Sequence, residues 1–317
     1  MISKDIELAA EIVKNDGVIG FPTETVYGLA GNIYSTKAVN KIYSIKQRPL
    51  HNPLIVHIKE VGDLDQIAIE IPEIAGIMAQ KFWPGPLTLV LKKHPNISEL
   101  ITAGHQTVAV RVPNHPIALA LLRQLDFPLA APSANPFGSI SPTTPEHVEA
   151  YFKEKVPVVL DGGNCKEGIE STIVGFKGES AVIYRLGSLS KEEIEKVTGP
   201  AILFNKAEEA PEAPGMLSKH YAPQSTLYVT DNLSESISKF SDKKIGLLTF
   251  RQHREEQNSK HQVILSPIGS LKEAASKLYT ALHELDAMKV DIIIAERFPD
   301  HDLGRTINDR LERASKQ

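Results

Sequence analysis

The chain of 317 residues is poor in cysteine, poor in long apolar runs and lacks the usual nucleotide-binding loops. One thiol, Cys165, excludes an intrachain disulfide and a multi-cysteine zinc site, and it suits a reducing compartment. Apolar runs such as Ile117 to Leu122 are far shorter than the ~20 residues that span a bilayer. Met1 to Asn15 mixes acidic and basic residues in an amphipathic helical pattern, with no apolar core behind a basic end. The expectation is a cytoplasmic protein without membrane attachment. Net charge is -4 and aromatic content 6%, which argues against a wholly basic nucleic-acid binder but leaves room for a local basic cavity. There is no G-x-x-x-x-G-K-[ST] loop, no G-x-G-x-x-G turn and no G-x-S-x-G elbow. No histidine pair has helix-face metal spacing, so no protein metal ligand is expected. Any phosphate chemistry must use another route.

What is present starts at Gly20 to His57. Val18 to Phe21 reads as a short strand, and Pro22 and Gly28 bracket a turn carrying Thr23, Glu24 and Thr25. Ser35 caps a helix whose Ala38, Val39, Ile42, Tyr43 and Ile45 share a face. That helix ends in Lys46-Gln47-Arg48-Pro49, two cations one residue apart where proline stops the chain. Leu54 to Ile58 reads as a strand with His57 near its end. Helices follow at Val61 to Ile69 and Glu73 to Phe82, then strands at Leu87 to Lys92 and Thr107 to Val112. Pro116 to Leu125 is an apolar-striped helix with a first-turn proline, and Thr144-Pro145-Glu146 opens another. Strands at Val156 to Leu160, Thr172 to Phe176 and Ala181 to Arg185 precede a helix opened by a Ser190/Glu193 capping box. Strands and helices alternate throughout, which means α/β with a mixed sheet.

Asn205 to Pro214 is rich in Ala, Glu and Pro and reads as an extended linker. A second α/β pattern follows it: strands at Thr226 to Val229, Ile245 to Phe250, Val263 to Leu265 and Ile292 to Ile294, with helices at Leu271 to Met288 and about Ile307 to Ala314. The division is 1–203, a linker at 204–224, and a small domain of doubly wound character at 225–317.

Lys46, Arg48, Arg111 and Arg185 offer charge to an anion, and a guanidinium can grip a carboxylate or phosphate bidentately. Ser133, Asn135 and Ser141 sit in proline-bounded turns, and Ser171 begins a strand. Singly, each fits equally well an ion pair at a sheet edge or a turn capping its own backbone. On residue types and spacing alone, the chain is an α/β protein with a candidate anion site.

The motifs F-P-T-E-T-V-Y-G-L, K-Q-R-P, N-P-L-I-V-H, W-P-G-P-L-T, T-V-A-V-R-V-P, A-P-S-A-N, D-G-G and E-S-T-I occur here in order. Together they resemble the YrdC-type threonylcarbamoyl-AMP synthases. A-P-G-M (Ala213 to Met216) and H-Y-A-P (His220 to Pro223) resemble the longer, two-domain form. The likeness runs from Asp5 to the C-terminus; over the last ninety or so residues it is looser and rests on Gly304 and Asn308-Asp309-Arg310-Leu311.

The resemblance implies a twisted mixed-sheet domain with a deep basic cavity and a small Rossmann-like C-terminal domain. It implies that L-threonine, bicarbonate or CO2, and ATP with Mg2+ yield threonylcarbamoyl-AMP and pyrophosphate, for threonylcarbamoyladenosine in tRNAs reading ANN codons. Carried over by motif, Thr23, His57, Arg111, Ala131 and Ser171 bind threonine. Lys46, the backbone near Leu50, Thr107, Ser133, Asn135, Ser141, Arg185 and Tyr221 bind ATP, and Lys46 with Arg48 supplies catalytic charge. Ala213 to Pro223 is expected to act as a lid. The partner implied is the downstream tRNA threonylcarbamoyl-transferase machinery, with weak tRNA binding as an added expectation. The competing readings are a double-stranded RNA or tRNA-binding module and a nucleotide sensor, both without turnover.

Overall fold

A computed structural model describes residues 1–178, 180–204, 220–253 and 261–316. The expected linker at Asn205 to Pro214 and the A-P-G-M motif lie outside these residues, as does most of the expected lid.

The described residues form two sheets. An eleven-stranded mixed sheet carries the first part of the chain, and a four-stranded parallel sheet carries the second. In the large sheet Ile55–His57 is central, parallel to Thr107–Arg111 and antiparallel to Leu129–Ala130, with His57 opposite both Arg111 and Leu129. Thr107–Arg111 runs antiparallel to Leu87–Lys92, which pairs in parallel with Thr172–Lys177. Thr172–Lys177 then pairs antiparallel with Ser180–Arg185.

By register, His57, Arg111, Thr172 and Arg185 lie at one edge of the sheet, and Phe21, Gly28 and Ala130 lie at the other. Thr23, Gly28, Ala131 and Ser133 nevertheless line the same cavity as His57, Arg111, Ser171 and Arg185.

Helix starts follow the local signals. Ser35, Thr144 and Ser190 cap their helices through the side-chain oxygen, and Ser190 and Glu193 complete the capping box. Other elements depart from the local reading. Val61–Gln66 is a short 3-10 helix in place of the expected α-helix, because Gly62 and two aspartates support a tight turn poorly suited to continuation. Gly28–Asn32, G-L-A-G-N, is a buried strand that the pattern missed. Two glycines hide its β character, but the close approach of neighbours requires them: a Cβ at Gly31 would lie 3.2 Å from that of Ala38. Ile2–Ser3 pairs with Val159–Leu160 before the helix Ile6–Lys14 begins.

The small sheet has the strand order Thr226–Thr230, Ile292–Glu296, Ile245–Thr249, His261–Ile264. Helices Leu271–Ala287 and Leu303–Ser315 pack their apolar faces on it and also reach the first domain. Val26, Ile140 and Ile169 belong to the same buried cluster as Leu278, Leu282 and Ile307, so the core of the second domain extends under the cavity of the first. No helix of the described residues is long and apolar enough to cross a membrane.

Candidate active site

These segments line a partly open cavity with about 550 Å3 of empty space, its open side included. Thr23, Arg48, His57, Arg111, Ala131, Ser133, Ser171, Arg185 and Tyr221 line it, together with Glu170 and His220.

The Thr23 turn is built by its own hydroxyl. Thr23 Oγ1 donates to the Val26 carbonyl at 2.6 Å and accepts from the Thr25 and Val26 amides at 3.2 Å. This turn presents Glu24 and Thr25 to Arg111, whose Nη1 donates to Thr25 Oγ1 at 2.8 Å and whose Nε donates to the Gly85 carbonyl at 3.3 Å. Arg111 Nη2 touches Glu24 Oε2 at 2.7 Å without hydrogen-bond alignment, and neither Glu24 oxygen has an aligned partner. Five N–H groups on a guanidinium leave donors over for a ligand.

His57 Nδ1–H donates to the Ile55 carbonyl at 3.2 Å, and its ring meets Phe21 edge-on. Burial, reinforced by the Arg111 charge, pushes its pKa down to about 3, so the ring is neutral and can accept from a ligand amine.

Gln47 adopts the left-handed conformation (φ 53°), ends the helix Thr36–Lys46, and sends the flanking cations apart. Arg48 reaches forward, Nη2 donating to Asn52 Oδ1 at 2.6 Å and to the Pro53 carbonyl at 2.8 Å. Lys46 reaches back and donates to the Ser133 and Asn135 carbonyls. Its ammonium therefore ties down the Ser133–Asn135 turn and is not part of the cavity lining. Burial, then the Arg48 charge, holds the Lys46 pKa well below that of an ordinary lysine.

Asn135 Nδ2 donates to the Pro136 and Ser139 carbonyls, so this residue shapes the turn. Ser141, fully buried, donates to Glu170 Oε1 at 2.7 Å and supports the wall from behind. Ser171 bonds Thr88 Oγ1 at 2.7 Å, and Arg185 donates to both its carbonyl and its hydroxyl. Two expected contacts are not brought to the cavity. Leu50 is 60% exposed beyond the helix end. Thr107 opens the strand that Arg111 closes, four residues and about 13 Å away at ~3.3 Å per residue.

Residues 220–222 form a strap beside the Gly138 turn, and His220 and Tyr221 line the cavity. The Ala222 amide donates to the Gly138 carbonyl at 2.7 Å, while Tyr221 is 1% exposed with a left-handed backbone (φ 68°). Burial pushes the His220 pKa down to about 3, so this ring too is neutral. Glu170, His220, Tyr279 and Arg310 were missed as site residues. The first two stand inside motifs already singled out, E-S-T-I and H-Y-A-P, so position within a motif was the available signal. Arg310 likewise lies in Asn308-Asp309-Arg310-Leu311; nothing local marks Tyr279.

A family model described as "Telomere recombination" (Sua5, YciO, YrdC) matches residues 11–187. A second, "Threonylcarbamoyl-AMP synthase, C-terminal domain", matches residues 189–316. The chain belongs to the threonylcarbamoyl-AMP synthase family. Among its members it is 40% identical to the threonylcarbamoyl-AMP synthase of Bacillus subtilis, over 98% of this chain and 92% of that one. The structure of Pyrococcus abyssi Sua5 complexed with L-threonine is similar at a TM-score of 0.92 and 39% identity, covering 98% of this chain and 94% of that one. Shorter members exist: a putative synthase of Methanocaldococcus jannaschii is 31% identical across 90% of its own length but only 61% of this chain. As a long, two-domain member of this enzyme family, the chain is a nucleotidyltransferase with no need of a serine or cysteine triad.

Proposed function

We propose that the chain joins L-threonine, bicarbonate or CO2, and ATP into L-threonylcarbamoyl-AMP, with release of pyrophosphate. The observation that carries this reading is the convergence of Arg48, Arg111 and Arg185 with neutral His57 and the hydroxyls of Thr23, Ser133 and Ser171 around one cavity. The threonine-bound relative from Pyrococcus abyssi supports the choice of amino acid.

Arg111 grips the threonine carboxylate, and Thr23, His57 and Ser171 orient its amine and hydroxyl. A neutral amine adds to CO2 and loses a proton, giving a carbamate. A carbamate oxygen attacks the α-phosphorus, and the bond to pyrophosphate breaks. Arg48 and Arg185 offset the charge that grows on the phosphates, and the Ser133–Asn135 turn, held by Lys46, seats the nucleotide. Catalysis is positioning and charge stabilisation. Glu24 and Glu170 are engaged by arginines. Mg2+ arrives with the triphosphate, as part of the substrate. His220 and Tyr221 shield the labile carbamoyl adenylate from water. The product feeds threonylcarbamoyladenosine formation in tRNAs reading ANN codons, through a downstream transferase.

The test is pyrophosphate release from ATP with and without L-threonine and bicarbonate. A requirement for both is expected. ATP binding without release favours a sensor, and salt-sensitive tRNA binding without turnover favours an RNA-binding module.

A further inference from the structure

Glu170 places a carboxylate in the wall of a cavity built for anions. Left bare, it would repel a triphosphate. Ser141 donates to it from the first domain, and Tyr279 OH lies 2.9 Å from both of its oxygens. Arg310 Nε donates to Oε2 at 2.9 Å. Tyr279 and Arg310 belong to the second domain, 109 and 140 residues further along the chain.

Arg310 does more than balance charge. Its side chain is 0% exposed, and its Nη2 donates to the Leu186 carbonyl at 2.5 Å, one residue past Arg185. One helical turn earlier, Thr306 Oγ1 donates to the Gly187 carbonyl at 3.0 Å. The guanidinium carbon also lies 4.8 Å from the centre of the Tyr221 ring, within cation–π range. One side chain thus touches the acid in the wall, the loop after Arg185, and the Tyr221 ring of the cavity lining.

We propose that Arg310 is a positioning residue for the adenylate-forming reaction: it neutralises Glu170 and seats Tyr221 and the Arg185 loop, so that the second domain completes the electrostatics of the cavity. This rests on the synthase reading given above. The groups facing Glu170 are Arg310, Tyr279, Arg185, His220 and Tyr221, from four separate segments. Burial alone would raise the Glu170 pKa; the charges of Arg310 and Arg185 and the Ser141 hydrogen bond overcome it and hold the pKa at about 2. The carboxylate is therefore ionised and compensated across the working range. Removing Arg310 strands a buried charge beside the substrate phosphates, and the largest compensating influence on its pKa disappears.

The experiment compares the full-length wild type with Arg310→Met, Arg310→Lys, Glu170→Gln and the Arg310→Met/Glu170→Gln double variant. Pyrophosphate release is followed against ATP concentration from pH 5.5 to 8, with ATP binding by calorimetry and thermal melting alongside. Arg310→Met is expected to lose about 100-fold in kcat/KM for ATP, mostly in KM. The loss should shrink as pH falls and the stranded carboxylate protonates. The double variant should recover to within about tenfold of wild type and lose that pH dependence. Arg310→Lys should hold a flat pH profile. An unchanged KM in Arg310→Met overturns the proposal, and so does a folded double variant as impaired as Arg310→Met. Should the wild type release no pyrophosphate, the synthase reading fails separately, and the same ordering in ATP binding still decides the role of Arg310.

Discussion

The Arg111 guanidinium lies 2.7 Å from the Glu24 carboxylate, and both side chains are only 4% exposed. The pair joins the turn after one strand to the end of another, 87 residues apart. Glu24 thereby restrains the guanidinium at the cavity wall.

Arg111→Ala should raise KM for threonine by about 100-fold and leave ATP binding near wild type. It also leaves Glu24 buried without a counter-ion, so the variant should lose about 3–5 kcal/mol of stability. Glu24→Gln/Arg111→Ala should regain part of the stability but not the threonine affinity. Steady-state kinetics and denaturant unfolding read the two effects separately. Unchanged threonine KM in Arg111→Ala would remove it from the carboxylate site.

Lys46→Met should cut kcat/KM by about two decades, the cost of misplacing a positioning element by about 1 Å. The defect should appear in ATP kinetics, because the Ser133 and Asn135 carbonyls lose their shared donor. Near-normal turnover would show that the turn holds itself.

Among the described residues the buried Tyr221 hydroxyl has no hydrogen-bond partner. An unsatisfied buried hydroxyl costs about 1–3 kcal/mol, so Tyr221→Phe should melt at the same temperature or higher. If the hydroxyl serves the nucleotide, the same variant loses activity. Higher stability with lower turnover is the expected split; lower stability would mean the hydroxyl has a structural partner.

Acid should destabilise the protein through its buried histidines. His57 and His220 titrate near 3 when folded but near 6.5 when unfolded, so between these values the unfolded chain binds more protons. Stability should therefore fall as pH drops from about 6.5 toward 3, by about 1.4 kcal/mol per pH unit for each histidine. His220→Gln should flatten that slope by one histidine's share between about pH 4 and 6. An unchanged slope would mean that His220 is charged or exposed in the folded protein.

Local chemistry determined much of this protein. Ser35, Thr144 and Ser190 start their helices because a side-chain oxygen meets a free amide three residues on, and Pro49 forces the chain out of the helix behind Lys46. Those relationships span a few residues and can be read from spacing. The motifs likewise pointed to Thr23, His57, Arg111 and Ser171, which the fold brings to one cavity. Gly28–Asn32 was illegible because burial, not β propensity, makes it a strand. Only the tertiary structure decided that Lys46 serves a turn 87 residues away, that Glu24 restrains Arg111, and that Arg310 reaches Glu170 across 140 residues. Buried charges take whichever partner the packing brings within hydrogen-bond reach, and no periodicity along the chain encodes that choice.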